Sequence, residues 1–489
     1  MPTPLSCRHE VLGLRIFADS RKKPQVFRKP RGSPALQLPR GRNMESVELA
    51  RQIVDKLKSS GHQAYFVGGC VRDMLLGIEP KDYDVATDAQ PDQIAALFPK
   101  SDLVGAQFGV VLVHDSGAEV EVATFRSDHA YVDGRHPMAV HFETDPRQDV
   151  LRRDFTINAL LLDPGGDEVV DFVGGREDLR NHVVRAIGDP ETRFREDHLR
   201  LLRAVRFAAR LNYQIEAGTM QAIQRLHGLI RKVSAERIRD ELARILTEGG
   251  ARRGFELLDE SGLLANILPE VAAMKGVAQP PEYHPEGDVW THTLLMLEKL
   301  ENPSVTLALG TLLHDVGKPP TFRVAERIRF DGHVEKGVEM TERILTRLRF
   351  SNEQIRQVTA LVGNHMRFKD APQMKLSTLK RFLRLEKFPE HLELHRLDCI
   401  SSHGRLDNYE LMKNKLEELP ADELKPQPLL TGEDLIAAGY QPGPAFARML
   451  AAAEDAQLES RIHTREQALK LVSSKFRIPD GAATQKQEE

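Results

Sequence analysis

Cysteine is scarce in this chain, and what there is lies far apart: Cys7, Cys70 and Cys399. Three widely spaced thiols make neither a disulfide framework nor a cysteine-based zinc site, and they fit a reducing, cytoplasmic setting. No apolar run approaches the ~20 residues that a membrane-spanning helix needs. There is no internal repeat. Charge of one sign is not in large excess either; the formal net charge is −4, so the total gives no sign of a nucleic-acid binder. Its distribution says more. Across 195–253 thirteen Lys or Arg stand against seven Asp or Glu, a local excess able to meet a nucleic-acid backbone.

At 489 residues the chain exceeds the size at which one hydrophobic core stops growing, so roughly two to four domains are expected. Residues 1–43 stand apart, with ten Lys or Arg, two acids, six prolines and no apolar period. They are expected to be disordered. They lack the apolar core and cleavage site of a secretory signal, while an Arg-rich, acid-poor start leaves organelle targeting open. Ordered structure is expected from Met44, where MESVELARQIVDKLKSSG has amphipathic spacing and stops at Gly61. From 62 to about 175 strand and helix signals alternate, with β-rich runs at 64–67, 108–113 and 118–124 and a helix at 91–98. Beyond about 176 the strand signals cease. Amphipathic helices follow one another there, broken by Pro- or Gly-rich stretches near 269–287 and 420–444.

The stretch YFVGGCVRDMLLGIEPKDYD at 65–84 carries the most chemistry. An apolar strand runs into Gly68 and Gly69, whose bare backbone lets N–H groups approach phosphate oxygens that a side chain would block. Arg72 follows where its fork can hold a phosphate. Asp82 and Asp84 share a face if the chain after Pro80 is extended, and two hard oxygen ligands there would hold Mg²⁺ between protein and triphosphate. Ions so placed activate a 3′-hydroxyl and steady a leaving pyrophosphate. Taken singly, a Gly-Gly pair is more often a plain turn and an Asp-x-Asp a solvated pair; the order after a strand makes the signal specific. Glu119-Val-Glu121 places two more carboxylates on one strand face. Glu121 is the candidate to complete the metal site, with an ordinary solvated glutamate as the competing reading.

This string resembles motif A of the class II nucleotidyltransferases, the family that holds the bacterial CCA-adding enzymes and bacterial poly(A) polymerases. RRDFTINAL at 152–160 reads as a charged cap, with Asp154 at the positive end of an apolar helix. It resembles motif B, which implies Arg153 on the nucleotide phosphates and Asp154 on the ribose. DFVGGREDL at 171–179 is similar to motif C, a glycine hinge. In REDHLRLLRAVRFAARL at 195–211 a helix would align Asp197, Arg200 and Arg203 along one side while Leu201, Leu202 and Val205 pack inward. A solvated ladder of charges is the bland alternative. EDHLR resembles motif D, whose Asp and Arg pair with the edge of the incoming base. The resemblance implies that Asp197 and Arg200 read the base, where each good pair is worth ~1–3 kcal/mol, with Arg203 and Arg206 supporting the nucleotide. VSAERIRDELARIL at 233–246 resembles motif E and reads as a packing helix capped by Ser234.

A second set of candidates begins at His292 and continues through LLHDVGK, with His314 and Asp315, to His333, His365 and Asp398. Imidazoles and carboxylates at long helical spacings can assemble an octahedral or dinuclear site for a divalent transition metal or Mg²⁺. The order resembles the HD phosphohydrolases. It implies His292, His314, Asp315 and Asp398 as ligands, with His333 and His365 completing a second metal position; core histidines satisfied by hydrogen bonds are the alternative. LLTGEDLIAAGYQPGPAFARML at 429–450 reads as a capped helix, a turn and a further helix.

The expected fold class is α+β. A basic leader at 1–43 precedes a small mixed α/β nucleotidyltransferase head at 44–175 and a helical neck at 176–270 that binds nucleotide and RNA. An HD domain at 271–410, a helical C-terminal part at 411–475 and a disordered tail at 476–489 follow. The resemblance implies template-independent addition or repair of the 3′-terminal CCA of tRNA from CTP and ATP with Mg²⁺, joined by a phosphohydrolase activity of the HD domain. Poly(A) synthesis, CC-only or A-only addition, and an HD phosphohydrolase with an RNA-binding head stay open as alternatives. The expected partners are tRNA, ATP and CTP, without a membrane; oligomeric state is not legible.

Overall fold

The computed structural model describes residues 25–27 and 44–476, apart from 104, 132–133, 135–136 and 167. The described residues fall into two compact units, those within Met1–Asp197 and Gln214–Thr219 and those within His198–Tyr213 and Met220–Glu489. The architecture is α+β: the first unit carries a large mixed sheet, and the second is almost wholly helical.

The strands of the first unit are β1 (Gln25–Phe27), β2 (Ala64–Val67), β3 (Asp84–Thr87), β4 (Ser101–Asp102), β5 (Val110–Asp115), β6 (Ala118–Thr124), β7 (Arg126–Tyr131), β8 (Pro137–Phe142), β9 (Leu161–Asp163) and β10 (Glu168–Asp171). Eight of them form one sheet in the order β1-β10-β9-β2-β3-β6-β5-β4, while β7 and β8 make a separate hairpin. Helices α1 (Met44–Ser59), α2 (Gly69–Leu75), α3 (Pro91–Leu97), α4 (Pro146–Leu151), α5 (Gly175–Arg180) and α6 (Pro190–Glu196) belong to the same unit. The amphipathic spacing of α1 works as read: Ala50, Ile53, Val54 and Leu57 are fully buried and the opposite face is solvated. Val67, Ala86, Phe125, Val150, Leu161 and Ile187 join in one core cluster that ties β2, β3 and β9 to α4.

Several expectations are corrected. Most of the leader lies outside the described residues, but Gln25–Phe27 is a strand, paired antiparallel with β10 at the sheet edge. Strands continue past 176, because Val183–Val184 pairs in parallel with Gln214–Ile215 and Arg323–Val324 forms a small hairpin with Ile328–Arg329. RRDFTINAL is no cap of an apolar helix. One 3₁₀ turn, Thr156–Asn158, leads directly into β9, which pairs with β2 and β10. Ala159, Leu160, Leu161 and Leu162 are buried to 1% exposure or less, and a short run buried on both faces carries no period that separates strand from helix. Of the expected disordered tail at 476–489, Phe476 is ordered, its carbonyl oxygen accepting from the Tyr440 hydroxyl at 2.9 Å, and 477–489 lie outside the described residues.

In the second unit the helices Val289–Glu298, Val305–Leu313, Asn352–Asn364 and Phe388–Ser401 share a core of Met296, Leu307, Leu361, Leu394 and Leu397. Thr431 caps the helix Gly432–Ala437 through a reciprocal pair of bonds with Asp434, as TGEDL suggested. Ser234 stands at the start of Ala235–Thr247, but its side chain makes no capping bond. Among the described residues no helix is long and apolar enough to cross a membrane.

Candidate functional site

Sheet register builds the first site. Val67 lies opposite Asp84 across the antiparallel β2–β3 pair, and Asp84 lies beside Glu121 across the parallel β3–β6 pair. The Gly68–Gly69 turn, Asp84 and Glu121 therefore meet at one end of the sheet. Gly68 has φ +81°, in the region that favours glycine. A Cβ there would stand 3.5 Å from Arg153 Nη1 and 3.8 Å from Asp84 Oδ2, so the bare turn faces the charged pair directly.

Asp82 is exposed and Tyr83, between the two aspartates, is buried. Burial, and then the charge of Glu121, pushes the Asp84 carboxyl up to about 6, with Asp82 adding to the rise and Arg153 opposing it. Three carboxylates that repel one another beside a phosphate-sized turn are a donor set suited to Mg²⁺, which is held by a few hard oxygens together with substrate phosphates. Among the described residues, the groups of three ligand atoms that close to within 4.8 Å lie in the second unit. The head carboxylates are thus an open set and not a closed cage.

Arg72 sits differently from the expectation. It is 2% exposed, and its fork is engaged inside the protein: Nε donates to Asp73 Oδ1 at 2.8 Å and Nη1 to Asn158 Oδ1 at 2.6 Å. It ties α2 to the turn after Asp154. Arg153 stands against Gly68, and Arg152 and Arg153 share the carboxylate of Asp149. Burial works to raise the Asp149 carboxyl, but the guanidiniums of Arg153 and Arg152 outweigh it and hold it below the ordinary value. Asp154 is buried, and its Oδ1 accepts from Phe155 N–H at 2.8 Å. The glycine pair of the third motif is braced: Asp171 accepts backbone N–H bonds from Val173, Gly174, Gly175 and Arg176.

The ladder of Asp197, Arg200 and Arg203 on a single helix does not form. Asp197 ends α6 in an extended conformation, and the next helix is Arg200–Leu211. Arg200 and Arg203 share that helix and are half-buried. Arg206, expected to support nucleotide, is 4% exposed and donates to Glu241 Oε2 at 2.6 Å.

The second unit gathers all six predicted metal ligands. Two groups, His292 with His314 and Asp398, and Asp315 with His333 and His365, each bring their ligand atoms within 4.8 Å of one another. His314, His333 and His365 present the same arrangement: each Nδ1 lies on the carbonyl oxygen three residues back, Thr311, Phe330 and Val362, at 2.9, 2.9 and 2.6 Å. Each Nε2 is buried and turned toward the cluster; those of His333 and His365 have no hydrogen-bond partner, and that of His314 lies 3.1 Å from Asp315 Oδ2. A backbone carbonyl on Nδ1 fixes the tautomer whose Nε2 lone pair faces the cluster, the usual second shell of a metal-bound imidazole. Orphaned nitrogens, two carboxylates and imidazoles fit a transition metal.

His292 is fully buried, with Nε2 3.2 Å from Asp398 and Nδ1 2.7 Å from Glu286. Burial opposes its protonation, but Asp398 and Glu286 outweigh that and carry it up to about 9. Lys318 lies 2.6 Å from Asp315, and His284 adds a further imidazole on Glu286 at 2.9 Å. Asp315 and Lys318 line a cavity of about 790 Å³ with Arg327, Arg329 and Lys369. Sequence reading missed His284 and Glu286, which lie in a Pro-rich loop without a period, and Lys318, which was inside LLHDVGK.

Residues 64–185 match the poly A polymerase head domain, residues 212–275 a domain described as the probable RNA and SrmB-binding site of polymerase A, and residues 334–472 a putative domain 2 of tRNA nucleotidyltransferase. A CCA-adding enzyme of Bacillus pumilus is 43% identical over 297 residues, 60% of this chain and 74% of that protein. The chain belongs to the family of CCA-adding enzymes. The CCA-adding enzymes of Lactobacillus helveticus and Levilactobacillus brevis are 40% and 43% identical over 51% and 45% of this chain, and the match spans 63% and 55% of their own length. The crystal structure of the Bacillus stearothermophilus CCA-adding enzyme in complex with CTP is 26% identical, with a TM-score of 0.68 over 88% of this chain and 97% of that one. The Thermotoga maritima CCA-adding enzyme complexed with tRNA shares the fold, at 19% identity and a TM-score of 0.55 over 88% of this chain and 96% of that one.

Proposed function

We propose that this chain adds or repairs the 3′-terminal CCA of tRNA, taking CTP and ATP and transferring the nucleotide to the RNA 3′-hydroxyl. The observation that carries this reading is the register that sets Asp84 beside Glu121 at the mouth of the Gly68–Gly69 turn. Asp82, Asp84 and Glu121 would hold Mg²⁺, which supplies activation of the attacking hydroxyl and charge neutralisation at the leaving pyrophosphate. Backbone N–H groups of the turn and the guanidinium of Arg153 bind and orient the triphosphate. Arg72, closed on Asp73 and Asn158, keeps the turn in place from behind. Asp154 takes the ribose, and Asp197 and Arg200 take the base, with Arg203 beside Arg200 on its helix; the buried pair with Glu241 leaves Arg206 the role of a brace. The finer division into head, neck, HD domain and C-terminal part at 175, 270 and 410 belongs to the same proposal, as does a cytoplasmic setting.

The metal-ligand cluster of the second unit supports an added phosphohydrolase activity. His292, His314, Asp315, His333, His365 and Asp398 would hold a divalent transition metal, and Lys318, Arg327 and Arg329 on the cavity wall suit an anionic phosphate ester.

The test uses purified protein with Mg²⁺ and three tRNA transcripts ending before, within or after CC, each given CTP, ATP or both and resolved to single nucleotides. Three added residues and a stop are expected. An open adenosine ladder would mean poly(A) synthesis, and extension confined to CC or to A a partial enzyme. Asp82→Ala should abolish incorporation and leave any phosphatase untouched; the opposite pattern would make the chain an HD phosphohydrolase with an RNA-binding head.

A further inference from the structure

We infer that Asp149, a residue outside every motif described above, is the positioning residue that aims Arg153 at the nucleotide triphosphate. The inference rests on the nucleotidyl-transfer reading of the head.

The carboxylate of Asp149 is 1% exposed and sits on α4, three and four residues ahead of two arginines. Its two oxygens are divided between them. Oδ1 accepts from Arg152 Nε and Nη2 at 2.9 and 2.5 Å, and Oδ2 accepts from Arg153 Nε and Nη2 at 3.1 and 2.9 Å. A guanidinium held side-on through Nε and one Nη has no freedom to rotate, and its remaining Nη points away from the clamp. For Arg153 that remaining group is Nη1, the atom nearest to Gly68, 3.5 Å from where a Cβ would stand. Among the described residues Nη1 has no hydrogen-bond acceptor of its own. One carboxylate between two guanidiniums leaves a net positive charge, so the clamp fixes direction without cancelling attraction for an anion.

The geometry separates two functions. Arg153 touches the ligand; Asp149 acts only through Arg153. Arg153 borders the glycine turn and Asp84, and the charge it would meet on a triphosphate is greatest on the phosphates beyond the first, which a monophosphate lacks.

The experiment measures equilibrium binding of CTP and CMP to the full chain with Mg²⁺, without RNA, and then KM and kcat with tRNA. The variants are D149N, which keeps the shape and removes the charge, D149E, R153A and D149N/R153A. D149N should weaken CTP about tenfold or more and leave CMP within about twofold; in turnover the loss should appear mainly in KM. D149E should restore part of it. In the R153A background D149N should change CTP binding by less than about twofold, since the interaction is already gone. A D149N loss that is equal for CTP and CMP, or that is as large in the R153A background, would make Asp149 a structural residue and overturn the inference. Wild-type protein that binds neither nucleotide would instead defeat the nucleotidyl-transfer reading. If D149N fails to fold, as circular dichroism would show, R152A decides: it keeps the Arg153 half of the clamp, and CTP affinity reduced as far as in R153A would refute a dedicated Asp149–Arg153 unit.

Discussion

His391 should make the second unit acid-sensitive by an amount that follows from its surroundings. The residue is 1% exposed and neither ring nitrogen has a hydrogen-bond partner. Burial pushes its pKa from 6.5 down to about 4; the neighbouring Glu390 charge opposes this and Arg367 adds to it. The folded state therefore resists the proton that the unfolded chain accepts. Between these two values the unfolded state binds more protons, so stability falls as pH falls, being complete above the unfolded value and lost progressively toward the folded one. With a folded value of about 4 and an unfolded value of 6.5, the loss between pH 7 and pH 5 is about 2 kcal/mol. The assay has a natural probe, because Trp290 is the only tryptophan of the chain and lies buried in the same unit. Urea unfolding followed by its fluorescence, in wild type and His391→Leu at both pH values, isolates the term; other titrating groups are common to both proteins and cancel. Wild type should lose about 2 kcal/mol more than the variant over this interval. Leucine brings no polar atom that needs a partner, so at pH 7 the variant should be no less stable. Equal pH dependence in the two proteins would show that the folded state admits the proton, and the desolvation argument would fail.

Glu241→Ala should cost about 1–3 kcal/mol, because it removes the nearer carboxylate of the buried Arg206 guanidinium and leaves it Glu248 at 3.6 Å; Trp290 unfolding measures it, and Arg206→Met with Glu241→Met should recover most of the loss. Gly175→Ala would place a Cβ 2.2 Å from the Thr156 carbonyl oxygen, an overlap that should cost about 1–3 kcal/mol and lower nucleotide incorporation through the turn that follows Asp154. Differential scanning calorimetry should show a lowered first-unit transition for that variant, and an unchanged thermogram would refute the close approach. Added Mn²⁺ or Co²⁺ should raise the second-unit transition of chelator-treated protein by binding only the folded form. His314→Ala should remove that response, and retention of it would place the metal elsewhere.

Legibility of the fold followed the reach of each interaction. Strand β2, its glycine turn and helix α1 are local, and Ala64–Val67 and Met44–Ser59 appear where a β-rich apolar run and amphipathic spacing put them. The failures lie where a local pattern competes with pairing at long range. Ala159 to Leu162 are wholly apolar and take their form from β2, about ninety residues earlier in the chain. Asp197 has charged neighbours at helical spacing, yet its backbone is extended, because side-chain spacing cannot report where a helix stops when no glycine or proline marks the place. The three-residue strand inside the basic leader was hidden by composition, which averages over all 43 positions.

The candidate sites divide along the same line. Residue types were legible, since glycine pairs, aspartates and histidines advertise their chemistry; what each side chain is committed to was not. Arg72 and Arg153 look alike in sequence, both arginines beside a recognisable motif. The first is closed on Asp73 and Asn158, while the second keeps Nη1 toward the Gly68 turn. Only the partner carboxylates decide between them. The histidines show the converse. Their shared habit of placing Nδ1 on the carbonyl three residues back, at Thr311, Phe330 and Val362, is invisible in the sequence, yet it turns three separated imidazoles into donors for two neighbouring ligand groups. Both sites are built by spending one part of a polar side chain on the protein so that the other part is aimed. A substitution that removes the aiming partner, Asp149 in one case, should therefore change ligand affinity more than it changes the residue that the ligand touches.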